Sequence, residues 1–150
     1  MRVVIQRVSQ ASVTINSVIK SQIDIGLLIL LGIEHEDNTS DADWLCQKIA
    51  QLRIFPDATG LMNLSIQDVA GNILVVSQFT LFASTKKGNR PSYIRAARPE
   101  FAIPLYEYFV KTLQAAAQCK VLTGDFGADM KVSLINDGPV TICIDSKAKE

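Results

Sequence analysis

The sequence predicts an α/β fold, a mixed sheet with two main helices packed on one side. Three observations point there. Most of the chain carries apolar residues at period two or in short unbroken apolar runs, the signature of strands. Two segments switch to the 3.6-residue period of a helix, one between strands and one ahead of the last strands. A length of 150 residues, 48% hydrophobic and 20% charged, suits one globular domain over 1–150 rather than a disordered chain.

Taken in order, "RVVIQRVSQASVTI" sets Val3, Ile5, Ala11, Val13 and Ile15 at period two, a strand with a bend near Ser9. Asn16-Ser17 is a turn, and a second strand runs toward Ile25. "GLLILLGI", Gly26 to Ile33, is apolar at nearly every position and reads as a strand buried on both faces. Trp44, Leu45, Ile49 and Leu52 then share one helical face, with Ser40 as the expected N-cap and Asp43 completing a capping box. "LMNLSI" alternates again, and "ILVVSQFTLFA" reads as one further strand. The polar stretch Ser84 to Pro99 is a loop. "EFAIPLYEYFVKTLQAAAQ" is a helix with Leu105, Phe109, Leu113 and Ala116 as its inner stripe and Pro104 in its first two turns. Strands at Val132–Ile135 and Val140–Ile144 follow, and "SKAKE" reads as a frayed tail.

Composition removes several functions. Fifteen basic residues balance fifteen acidic ones, so a nucleic-acid partner must be argued from local clustering. Cys46, Cys119 and Cys143 are far apart and odd in number, which suits buried thiols in a reducing compartment, the cytoplasm. With His35 as the lone histidine and no ligand cluster, no metal and no cofactor is expected. The N-terminus has no continuous apolar signal core, and the longest apolar run falls well short of the roughly 20 residues a membrane span needs, so no membrane association is expected.

Three stretches could carry chemistry. In "VVSQFTLFA", Ser77, Gln78 and Thr80 interrupt an apolar run, with Ser77 and Phe79 expected on one face and Gln78 and Thr80 on the other. Either these groups satisfy backbone and solvent, or they form the floor of a pocket that orients an ester or donates to an oxyanion. A nucleophilic triad has no base unless folding brings His35, within the acidic turn "GIEHED", to Ser77 or Thr80. The loop from Ser84 holds Lys86, Lys87, Arg90, Arg95 and Arg98 without a single acid up to Pro99: a solvated loop, or a phosphate-binding patch to which Tyr93 adds a stacking face. Finally, Asn136-Asp137-Gly138-Pro139 interrupts an alternating run, as a hairpin turn or as a backbone corner presented to a partner.

Together, "SQFTL" at 77–81 and "NDGPVT" at 136–141 resemble the D-aminoacyl-tRNA deacylases. The likeness extends through "MRVVIQRVSQASVTI", "GLLILLGIEHED", "DADWLCQKIAQLRIF", "MNLSI", "RPSY" and "FGADMKVSLINDGPVT". It implies a homodimeric three-layer β/β/α fold that hydrolyses the ester between tRNA and a D-amino acid, or mischarged glycine, releasing free tRNA. It further implies a cis Gly138–Pro139 bond entering the partner subunit's pocket, where the two residues reject L-amino acids and grip the substrate's α-amino group. Ser77, Gln78, Phe79 and Thr80 map onto the family's catalytic pocket motif. Catalysis is assigned there either to Thr80 as nucleophile or to backbone donors with the tRNA 2′-OH; the missing base favours the second. Lys86, Lys87 and Arg90 are expected on the tRNA backbone, and Arg7 is expected to brace the Gly-Pro corner. The sequence departs from the family in the first hairpin, where Ser17 and Ser21 stand in place of glycines. Two other functions fit the same residues: a tRNA-binding module without hydrolysis, and a small-ester hydrolase using Thr80 or Ser77.

Overall fold

A computed structural model of the chain describes residues 1–149. Along these residues run β1 (Arg2–Ile15), β2 (Val18–Ile23), β3 (Gly26–Gly32), α1 (Thr39–Gln51), β4 (Phe55–Pro56), β5 (Met62–Leu64), β6 (Asn72–Ser77), a 3-10 turn (Phe79–Phe82), α2 (Pro99–Ala117), β7 (Val121–Thr123) and β8 (Lys131–Asp145).

β1 organises the sheets. Along one edge its first half pairs antiparallel with β3 and its second half with β2. Its other edge pairs antiparallel with β8 along most of its length. The change of partner coincides with the exposed Ser9 and Gln10, where the bend is expected. β3 continues parallel to β6, and β6 to β7, giving the mixed sheet. A two-residue turn with positive φ at Asn16 (49°) and Ser17 (65°) joins β1 to β2, so this hairpin closes without glycine.

Successive residues of β3 and β6 face opposite ways, and they enter two separate apolar clusters. Leu27, Ile29, Leu31, Ile73 and Val75 pack with Leu45 and Ile49 of α1 and Phe109 and Leu113 of α2. Leu28, Leu74 and Val76 pack with Val8, Ala11, Val13 and Ile23, and Val132 and Leu134 of β8 close the same cluster. An unbroken apolar strand is thus the middle of three layers, sheet on sheet on helices. Each fully buried Leu or Ile contributes about 1.5–3 kcal/mol, so a polar substitution on either face removes a sizeable share of a typical domain's stability of about 5–15 kcal/mol.

Several expectations are corrected. α1 is capped by Asn38, not Ser40: the Asn38 side chain accepts from the Ser40 amide (2.9 Å) and Asp41, not Asp43, accepts from the Asn38 amide (3.0 Å). Both tetrads fit a capping box; the structure uses the earlier one, with Asp41 and Ala42 buried in the first turn. The inner stripe of α2 ends on buried Ala117, with Ala116 only half-buried. "ILVVSQFTLFA" is strand only to Ser77, after which the chain turns. The two C-terminal strands are one, β8, carrying the Gly-Pro pair as an interruption within it rather than a hairpin. The tail is tied down: the buried Ser146 amide donates to the Met1 carbonyl (2.9 Å) and Lys147 pairs with Asp41 (2.8 Å). β4 and β7, of two and three residues, are too short to show a period.

Candidate active site

At the end of β6 the chain leaves the sheet. Ser77 is the last residue in register with β3, opposite Leu31, and the Gln78 amide still donates to the Leu31 carbonyl (2.7 Å). The backbone then tightens: the Leu81 amide bonds to the Gln78 carbonyl (3.2 Å) and Ala83 to Thr80 (3.0 Å). This turn folds over the end of β3 because Gly32 is there. A Cβ at Gly32 would lie 3.0 Å from Leu81 Cβ and 3.1 Å from both the Gln78 carbonyl and the Phe82 ring. Phe82 anchors the turn from below, fully buried, with the guanidinium groups of Arg2 (4.7 Å) and Arg95 (5.5 Å) near its ring centroid. Arg2 also donates to the Leu81 carbonyl (3.2 Å).

The expected strand-face assignment of these four residues is therefore replaced. Ser77, Gln78 and Phe79 line a cavity of about 620 Å³ whose remaining walls include Leu31 and Val76 of the sheet, Ile33 just past β3, and Met130 and Val132 ahead of and within β8. Phe79 stands 56% exposed, its ring edge-on to Tyr93 at 5.0 Å. The Gln78 side-chain amide meets the Thr80 hydroxyl. The first amides of the turn, on Phe79 and Thr80, precede its first internal bond and have no intrahelical partner, as at any helix start.

The loop after this turn is pinched at its base. Ser84 and Ser92 exchange two backbone hydrogen bonds, 2.8 and 2.9 Å, and Lys86, Lys87 and Arg90 lie exposed on the excursion between them. Its return leg packs back on the sheet: the Ala97 amide donates to the Ile33 carbonyl (2.9 Å), and Ala96, Ala97, Arg98 and Pro99 join the cavity wall. The five cations are not equivalent, since Arg95 is committed to Glu34 at 2.8 Å.

Gly138 and Pro139 sit elsewhere. Along β8, Asn136 pairs with Val8 and Thr141 with Gln6, so the four residues from Asp137 to Val140 arch over the single residue Arg7. The Gly138–Pro139 peptide bond is cis, and both residues are exposed. Arg7, only 8% exposed, lies under the arch: Nε donates to the Asp137 carbonyl (2.9 Å), Nη1 donates to the Ile54 carbonyl (2.6 Å), and the Asp137 carboxylate lies 3.4 Å away. Asn136 holds the arch from the other side, its side-chain amide donating to the Val140 carbonyl (3.0 Å) and the Arg7 carbonyl (3.3 Å). Gly138 has φ +138°, and a Cβ there would lie 2.9 Å from Arg7 Nη2 and 2.8 Å from Val140 Cγ2. The cavity around Ser77 does not include this corner of the same chain.

His35, the one candidate base, and the three cysteines lie off the cavity wall. His35 is exposed, with Phe101 at 6.4 Å between ring centroids. Burial pushes the Cys46 thiol up to about 12, and its Sγ donates to the Phe109 carbonyl (3.4 Å); burial also raises Cys119. Neither offers a thiolate near neutral pH. Among the described residues, no helix is long and apolar enough to cross a membrane. Of the cavity's residues, the sequence pointed to Ser77–Phe79, to Tyr93 as a stacking face and, through loop charge, to Arg98; the 126–130 segment entered only within a family-like stretch, and Thr80, expected in the pocket, is not on its wall.

Relatives match the chain along nearly its whole length. The D-Tyr-tRNA(Tyr) deacylase family model matches residues 4–145. A D-aminoacyl-tRNA deacylase of Bacteroides fragilis is 67% identical over 150 residues, the whole of both chains, and one of Flavobacterium psychrophilum is likewise 67% identical over the whole of both. A solved structure described as c-Myc DNA unwinding element binding protein superposes with a TM-score of 0.92 at 40% identity, covering 99% of this chain and 100% of the other. With the family model matched from within β1 to the end of β8 and relatives 67% identical over the whole chain, the chain belongs to the D-aminoacyl-tRNA deacylase family.

Proposed function

We propose that the chain hydrolyses the ester joining a D-amino acid, or mischarged glycine, to the 3′ end of tRNA, as a cytoplasmic homodimer whose two sites lie at the subunit interface. The observation that carries this reading is the polar run Ser77–Phe79 on the wall of a largely apolar cavity, continued by a Thr80 whose hydroxyl meets an amide rather than a base. The hydroxyl of Thr80 meets only the Gln78 amide, which takes up no proton near neutral pH whichever way it is turned. Activation of a serine or threonine nucleophile therefore lacks its proton acceptor. An ester of a nucleoside brings its own hydroxyl: the 2′-OH beside the bond assists, and the free amides of Phe79 and Thr80 stabilise the developing oxyanion. One such donor is worth roughly 2.7–4 kcal/mol.

Handedness is set by Gly138 and Pro139. Exposed on their own subunit and outside its cavity, they enter the partner's, where their carbonyls accept from the substrate's α-ammonium group. An L side chain then meets main chain, whereas a D residue or glycine clears it. A wall of backbone is indifferent to the chemistry of the side chain it lets pass. Lys86, Lys87 and Arg90 take the tRNA phosphates, and Arg7 keeps the arch in place.

A second reading, nucleic-acid binding without hydrolysis, is favoured by the 40% identical solved structure, described as a DNA unwinding element binding protein, and by the exposed basic loop. Incubation with D-tyrosyl-tRNA and L-tyrosyl-tRNA separates the two. Release of amino acid from the D form alone is expected; binding with no release from either supports the second reading, and equal release points to a small-ester hydrolase.

A further inference from the structure

We infer that Arg98 is a substrate-binding residue that holds the phosphodiester entering the terminal nucleoside of the tRNA. The inference rests on the function proposed above and adds a ligand contact to the same site.

Arg98 is the one lysine or arginine on the wall of the cavity that contains Ser77, Gln78 and Phe79. Its root is fixed and its head is free. Its carbonyl accepts from the amides of Phe101 (3.0 Å) and Ala102 (2.9 Å), and the preceding amide, on Ala97, is bonded to Ile33 just past β3 (2.9 Å). By contrast, its guanidinium makes no hydrogen bond or ion pair among the described residues. Arg2 is paired with Asp145, Arg7 with Asp137, and Arg95 with Glu34. Arg53 donates to the Asn63 carbonyl. The other charged group of the wall, Asp129, is held by Lys131 at 3.0 Å. A guanidinium on the wall of a mostly apolar cavity, with no acid in ion-pair contact with it among the described residues, fits an anion on the ligand.

The ligand chemistry supplies one. An aminoacyl ester seated at the Ser77–Thr80 turn belongs to the last nucleoside of the chain, whose single phosphate links it to the preceding nucleotide. Lys86, Lys87 and Arg90 lie past the Ser84–Ser92 pinch, on the excursion of the loop, and suit phosphates further from the ester. Arg98, on the wall itself, is placed for the last one. Guanidinium also suits phosphate oxygens better than ammonium does, since its fork can bond two of them.

The test compares wild type, Arg98→Ala and Arg98→Lys on D-tyrosyl-tRNA and on the D-tyrosyl ester of adenosine, which has no phosphate. It also measures binding of uncharged tRNA against salt. Loss of one hydrogen-bonded ion contact predicts a rise of about 10–100-fold in KM for the tRNA substrate with Arg98→Ala, a smaller change in kcat, and partial recovery with lysine. The change on the adenosine ester is at least about tenfold smaller, and the slope of log affinity against log salt falls by about 0.7. Equal losses on both substrates, or an unchanged KM for the tRNA ester, overturn the assignment. A wild-type chain that binds tRNA with an Arg98-dependent slope yet hydrolyses nothing refutes the proposed reaction while supporting the contact. One that neither binds nor hydrolyses refutes both.

Discussion

Replacing Arg7 with alanine probes the arch directly. Arg7 makes two hydrogen bonds to main-chain carbonyls, at 2.9 Å to Asp137 and 2.6 Å to Ile54, and tethers β8 to the segment just before β4. A hydrogen bond from a charged donor contributes about 1.5–3 kcal/mol, so the pair amounts to about 3–6 kcal/mol. Relief from burying a guanidinium returns part of this, leaving a net loss of about 2–4 kcal/mol. The ion pair to Asp137 adds little, because that carboxylate is half exposed. In a chain of this length the loss lowers Tm by about 4–16 °C. The same substitution removes the support under Gly138, and the ratio of D- to L-tyrosyl-tRNA hydrolysis is expected to fall at least about tenfold, or about 1.4 kcal/mol of discrimination. Thermal unfolding and single-turnover deacylation of both substrates check the two halves. Arg7→Lys should recover part of the stability and less of the discrimination, since an ammonium cannot reproduce the fork. A variant with wild-type Tm refutes the energetic argument; one with lowered Tm and an unchanged D/L ratio refutes the link between Arg7 and selectivity.

Thr80→Ala should keep hydrolysis of D-tyrosyl-tRNA within about tenfold of wild type, because no base meets its hydroxyl; complete loss with binding intact would restore a hydroxyl nucleophile. Alanine at Lys86, Lys87 and Arg90 together should lower the salt slope of tRNA binding by about 2–3, measured by titration at several ionic strengths, while the D/L ratio stays put. Asp41→Asn should cost about 1 kcal/mol at pH 7 by weakening the capping box. Burial raises the Asp41 pKa, but bonds from Lys147, Ser146 and the Asn38 amide outweigh this and hold it below the ordinary 3.8. Its carboxylate thus stabilises the fold above pH 4, and the stabilisation fades as pH falls through the lowered pKa. Melting of the two proteins between pH 7 and pH 3 should converge at the acid end, and a constant gap would contradict the assignment.

The layers were legible because their signal is periodic. Gly26–Ile33, apolar without alternation, could only be a strand covered on both faces, and the structure puts one cluster on each. The helices announced themselves equally, although two overlapping capping tetrads hid which asparagine or serine starts α1. The failures occur where a tertiary neighbour overrides local pattern. "SQFTLF" alternates like strand, yet β3 ends at Gly32 and leaves room for the chain to turn over it. That glycine, spaced so as to meet Leu81 and Phe82, was the missing clue. "NDGPVT" carried the strongest turn residues in the chain, yet pairing with β1 resumes beyond them, and the dipeptide becomes an arch rather than a hairpin. The tail was misread because its partners, Met1, Asp41 and the ring of Trp44 beneath Lys149, lie far away in sequence. Charge counting overvalued Arg95, whose acid comes from the end of β3.

The proposal that main chain, not side chain, discriminates handedness makes one demand that a side-chain mechanism would not. The measurement is the D/L ratio of single-turnover deacylation for tRNAs charged with tyrosine, aspartate, leucine and lysine, with glycyl-tRNA alongside. The account predicts that the D form is preferred by a similar large factor in all four, and that glycine is hydrolysed. A preference confined to one side chain, or equal rates for the two enantiomers, contradicts it.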